Sequence, residues 1–121
     1  MAKLTRDVLI IDDDEGIRNL ICIALQRAGL SCETATDGTE ALERVRNVTF
    51  AVILLDIMMP RLDGYGFLSR YAESLIHDAD RPVVLIMTAF PEHEVNVPFV
   101  ADLVHGIIRK PFDVHEMASL V

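Results

Sequence analysis

Residues 51–55, AVILL, carry no polar side chain and no helical spacing, and the run stops at one carboxylate, Asp56. A segment like this reads as a strand buried on both faces of a parallel sheet, which requires covering helices. Met59-Pro60 and Asp63-Gly64 then punctuate a turn. In open α/β sheets, the carboxyl ends of the strands are where ligands bind. Asp56 is therefore either a solvated strand terminus or a reactive group, and the rest of the chain must decide.

Apolar runs and helical periodicity alternate along the whole sequence. Val8 to Ile11 reads as a short strand ending in Asp12, Asp13 and Asp14. Ile17, Leu20, Ile21, Ala24, Leu25 and Ala28 follow at helical spacing, and Gly29 closes that helix. Ser31 to Thr36 reads as a weaker strand, and Asp37-Gly38 opens a helix with Ala41, Leu42 and Val45 on one face. From Gly64 to Leu75, Tyr65, Leu68, Tyr71, Ala72 and Leu75 share a helical stripe. Pro82 to Met87 reads as a fourth strand, followed by Thr88. Pro91 opens a fourth helix, which Pro98 shortens or kinks. Gly106 to Ile108 reads as a fifth strand, and Asp113 with Glu116 forms a capping-box pair for a last helix. Five β–α units with short connections predict a three-layer, doubly wound α/β sandwich around a five-stranded parallel sheet. The 121 residues suit one domain, and the last helix stops so soon that a longer natural chain is expected.

Nineteen acidic residues against eleven Lys and Arg give a net charge of −8. That sign argues against a nucleic-acid grip by this surface and suits cations or basic partner surfaces. Cys22 and Cys32 have no metal-like spacing and read as buried reduced thiols. Those reduced thiols point to the cytoplasm, and the charged start and the absence of any long apolar run predict neither a signal peptide nor a membrane span. His77, His93, His105 and His115 have no metal-ligand spacing and read as surface residues.

Asp12 and Asp13, Asp56, Thr88 and Lys110 fall after successive predicted strands, so a parallel sheet gathers them along one edge. Clustered carboxylates repel unless a hard cation neutralises them, and Mg²⁺ prefers oxygen ligands. With a lysine and a hydroxyl alongside, such a set suits a phosphoryl group, with Asp56 as the nucleophile. The bland reading of each piece is ordinary: Asp13 or Asp14 caps the first helix, Asp56 is a turn residue, Thr88 is a strand-end threonine and Lys110 a surface lysine. Their joint occurrence in order is what favours the site.

The motifs IIDDD (10–14), LLDIMMPRLDG (54–64), MTA (87–89) and KPF (110–112) resemble the receiver domains of bacterial two-component response regulators. The resemblance spans the chain and implies the sheet order 2-1-3-4-5, one of the two common orders of doubly wound folds. It implies that Asp56 is the phosphoacceptor, and that Asp12, Asp13, Asp56 and the Met58 carbonyl hold Mg²⁺. It further implies that Lys110 pairs with the phosphoryl group, while the Thr88 hydroxyl and the Ala89 amide follow it. The implied partners are a sensor histidine kinase or phosphotransfer protein, an output domain after Val121, and a second copy through the fifth strand and last two helices. The implied activity is a switch that catalyses only its own phosphorylation and dephosphorylation.

Three positions depart from the family pattern. Ile107 replaces the usual Tyr or Phe, and an isoleucine cannot swing a ring with Thr88. Met58 and Phe90 are apolar where other members carry polar groups, which predicts a long-lived phosphoryl-aspartate. A haloacid-dehalogenase-type phosphatase would need a second acid at position 58, and a flavin or nucleotide binder would need a glycine-rich loop. A degenerate receiver acting as a phosphorylation-independent interaction module is the remaining alternative.

Overall fold

A computed structural model describes residues 4–59, 61–74, 82–89 and 104–110. The elements, in chain order, are β1 (Leu4–Ile11), α1 (Glu15–Arg27), β2 (Cys32–Ala35), α2 (Gly38–Asn47), β3 (Val48–Asp56), α3 (Gly64–Ser74), β4 (Val83–Thr88) and β5 (Val104–Arg109). Every strand pairing is parallel, and the order is β2-β1-β3-β4-β5. The expected α/β sheet and its order are therefore present. The helices expected from Pro91 and Asp113, with Pro98 and Phe90, lie outside the described residues.

Side-chain alternation along the strands divides the core into two layers. Leu9, Ile11, Ile53, Leu55, Val84 and Ile86 pack on one face with Ala41 and Val45 of α2 and Phe67, Leu68 and Tyr71 of α3. Val8, Ile10, Leu54 and Met87 point the other way, onto Ile21 and Leu25 of α1. The central strands are apolar on consecutive residues because both faces are covered. Each such Leu or Ile contributes about 1.5–3 kcal/mol by leaving water. Phe67 and Tyr71 stack one helical turn apart, with ring centroids 5.4 Å apart, as helix packing predicts.

Several boundaries differ from the sequence reading. β1 starts at Leu4 rather than Val8, because Leu4, Thr5 and Arg6 pair with Val48, Thr49 and Phe50 of a longer β3. Ala51 is exposed, so two-faced burial of that strand begins beyond it, at Ile53. Leu20 lies within the helical stripe but is 58% exposed, and Ala28 is exposed too. Ala28 caps α1, with Gly29 following at φ +86°. Cys22 and Cys32 are free thiols, half-buried rather than buried. Burial, the neighbouring Cys22 thiol and the Glu33 charge push the Cys32 thiol up, which keeps it protonated. β5 runs from Val104 to Arg109, and its register against β4 shifts between Val84 and Leu85. There the His105 Nδ1 accepts the Val84 amide at 3.2 Å, so this histidine, exposed as expected, also fills a break in the ladder.

Candidate functional site

All strands are parallel, so Asp12, Asp56, Thr88 and Lys110, each at or just past a strand's carboxyl end, share one edge of the sheet. The turn after β1 is held by its own acids. The Asp12 amide donates to the Ala35 carbonyl at 3.1 Å, and Asp12 Oδ1 accepts the Asp14 amide at 2.9 Å. Asp14 is the N-cap of α1, accepting the Ile17 amide at 3.2 Å. With Asp14 taking the cap, Asp13 stays exposed at the mouth of the site while Asp12 is fully buried.

Asp56 is buried at the end of β3, where its Oδ1 accepts the Met58 amide at 3.1 Å. Lys110 Nζ bridges the two buried acids, donating to Asp12 Oδ2 at 2.8 Å and Asp56 Oδ2 at 3.4 Å. Burial pushes the Asp56 carboxyl up to about 6, the Asp12 charge adds to the rise, and Lys110 and the Met58 amide oppose it. Burial alone would lower Lys110, but the Asp12 hydrogen bond and the charges of Asp56 and Asp12 outweigh it and raise its value. The site thus carries more negative charge than its one lysine balances.

Each of Asp12, Asp13 and Asp56 offers a carboxylate oxygen, and these three lie within 4.8 Å of one another. An all-oxygen set of two buried acids and one exposed acid, with an uncompensated negative charge, fits Mg²⁺. The backbone that carries Asp56 is tightly closed. The Gly64 amide donates to the Ile57 carbonyl at 2.9 Å, and a Cβ at Gly64 would stand 2.7 Å from the Asp56 carbonyl oxygen. Only glycine fits that approach.

Thr88 ends β4, one residue beyond Met87, the register partner of Asp56. It is buried, and its carbonyl accepts the Lys110 amide at 2.7 Å, which ties the two positions together. Ala89 follows as an exposed residue. The Met58 side chain is 59% exposed beside the site. Ile107 is half-buried in β5, against the core layer of α2 and α3. Arg18, which the sequence reading passed over, donates Nη1 to the Asp12 carbonyl at 2.8 Å. Its position four residues after Asp14 placed it one turn into α1, the only trace in the sequence.

The family model for the response regulator receiver domain matches residues 8–121. The chain is 35% identical over 116 residues to the DNA-binding transcriptional regulator NtrC of Escherichia coli, covering 94% of this chain and 24% of that protein. It is 34% identical to the probable transcriptional regulator ycf27 of Guillardia theta, covering 94% of this chain and 43% of that one. The chain thus spans less than half the length of these relatives. Among solved structures, the receiver domain of the Francisella response regulator 1452 superposes with a TM-score of 0.82 at 29% identity, covering 95% of this chain and 92% of that chain. The Vibrio cholerae chemotaxis protein CheY4 gives 0.81 at 28% identity, covering 98% and 96%. Sequence motifs, sheet order and family match agree: this chain belongs to the response regulator receiver domains of two-component systems.

Proposed function

We propose that Asp56 accepts a phosphoryl group from a histidine kinase or phosphotransfer protein, and that the phosphorylated state changes how this domain binds its partners. The bridging of Asp12 and Asp56 by Lys110 Nζ supports this reading above all. A half-buried lysine pinned between two acids is already placed where an anionic group on Asp56 would meet it. An oxygen lone pair of Asp56 forms the new P–O bond. The donor's P–N bond breaks, and its electron pair returns to the imidazole nitrogen. Asp12, Asp13 and Asp56 would hold Mg²⁺, with the Met58 carbonyl as a further ligand, and the ion when bound supplies charge neutralisation for phosphoryl transfer.

Lys110 orients and neutralises the transferred group, and Thr88 offers its hydroxyl and Ala89 its amide from the end of β4. The bond between the Lys110 amide and the Thr88 carbonyl supports their moving as one unit. Ile107 packs into the core face, so the signal leaves Thr88 without a swinging aromatic ring. The domain catalyses its own modification and no turnover of an external substrate. NtrC is named as a DNA-binding regulator; in a longer protein built like it, this unit would control an output domain rather than contact DNA, in line with the −8 charge.

Incubation with Mg²⁺ and acetyl phosphate, followed by intact mass and peptide mapping, tests the reading. One phosphoryl group on Asp56, absent from Asp56→Asn, is expected. No modification with either acetyl phosphate or a kinase would point instead to a phosphorylation-independent interaction module.

A further inference from the structure

We infer that Asp37 and Arg61 are positioning residues for the Asp56 site, acting through the loop that joins β3 to α3. This rests on Asp56 being the phosphoacceptor. Asp37 is the N-cap of α2 and lies on a different β–α unit from Asp56. It is only 1% exposed, yet its Oδ2 takes the Arg61 guanidinium, while its Oδ1 accepts the Glu40 amide at 2.9 Å. Arg61 itself is 72% exposed and, among the described residues, is the one non-glycine with positive φ, at 61°. A left-handed arginine persists only where surrounding contacts hold it.

Those contacts come from the start of α2. The Gly38 amide donates to the Leu62 carbonyl at 2.9 Å, and a Cβ at Gly38 would sit 2.6 Å from that oxygen. The far end of the loop is closed by the Gly64 amide on the Ile57 carbonyl. The near end is closed by the Met58 amide on Asp56 Oδ1. The loop is thus pinned at both ends and gripped in the middle by α2. Its near end carries the amide that orients the Asp56 carboxylate. Releasing the middle grip frees Arg61 to leave its left-handed conformation and loosens the Met58 amide.

The test compares Arg61→Ala, Arg61→Lys and, as a stability control, Ser31→Ala. Ser31 exchanges hydrogen bonds with Asp7 at the opposite end of the sheet. Three readouts are taken: hydrogen exchange of the Met58 amide in metal-free protein, Mg²⁺ affinity by calorimetry, and the rate of Asp56 phosphorylation by acetyl phosphate. Arg61→Ala is expected to speed Met58 exchange and weaken Mg²⁺ binding by about tenfold, the scale of an outer-shell partner. Arg61→Lys should recover part of the loss, and Ser31→Ala should change neither at a similar fall in Tm. Unchanged Met58 exchange and Mg²⁺ affinity in Arg61→Ala would overturn the inference. Failure of the wild-type protein to become phosphorylated would instead overturn the role of Asp56, while the exchange and Mg²⁺ readouts still judge the grip.

Discussion

Replacing Lys110 by Met removes the positive charge that bridges Asp12 and Asp56 and keeps most of the apolar stem. Breaking a buried ion pair on one side typically costs about 3–5 kcal/mol. The Lys110 side chain retains 18% exposure, so the low end applies, about 3 kcal/mol near pH 8. The cost must depend on pH, because Asp56 titrates at about 6 against 3.8 for an ordinary aspartate. A carboxyl raised on folding contributes stability that is fully present below the unfolded value and lost as pH rises through the folded one. That loss amounts to about 3 kcal/mol. Without Lys110, the Asp56 value climbs further, and the loss continues into the neutral range. Near pH 5, Asp56 is protonated with or without the lysine, which leaves only the severed Asp12 bond, about 1.5 kcal/mol. Urea unfolding in metal-free buffer at the two pH values measures the difference. At one fixed Mg²⁺ concentration, Lys110→Met, with its extra uncompensated negative charge, should bind the ion more tightly than wild type and so gain more stability, which narrows the gap. An equal cost at both pH values, with no narrowing by Mg²⁺, would refute the charge balance assigned to this site.

Gly64→Ala should lower Tm: overpacking against the Asp56 carbonyl and Ile57 Cα, 2.7 and 2.8 Å from the added carbon, costs about 1–3 kcal/mol and outweighs the helix-propensity gain. A raised Tm would show that the β3–α3 loop yields freely. Asp37→Asn keeps an N-cap but loses the charge facing Arg61. Burial raises the Asp37 carboxyl, yet the Glu40 amide and Arg61 outweigh burial and hold it below the usual range. Its contribution is therefore present above about pH 3.9 and lost as pH falls through the folded value. Arg61 is largely exposed and screened, so the variant should cost about 1 kcal/mol at neutral pH, vanishing in acid unfolding titrations. The phosphoryl group on Asp56 should persist, since the Met58 side chain beside it cannot orient an attacking water. Met58→Asn should shorten its half-life, followed by mass spectrometry, and an unchanged half-life would remove Met58 from that role.

The acids, Thr88 and Lys110 were legible because strand-end residues in a parallel sheet must share an edge, whatever the details of packing. Strand ends were less legible. Thr5 and Arg6 carry polar side chains that hide a strand, yet backbone pairing with Thr49 and Phe50 needs no apolar side chain. Leu20 matches the helical stripe by spacing but is exposed, since where a helix meets the sheet depends on the helix's rotation rather than its period.

Local pattern thus established a parallel α/β fold, and short motifs pointed to a receiver with Asp56 as the candidate reactive acid, since periodicity and strand-end residues are legible within short segments. Contacts between segments far apart in the chain needed the folded molecule. Lys110 spans 98 residues to Asp12 and 54 to Asp56, and Arg61 reaches back 24 residues to Asp37. Which acid takes the cap, which meets the lysine and which stays exposed follows from these distances. Arginines and aspartates look alike in a sequence until packing removes water from one of them, as it does from Asp37 and not from Asp13.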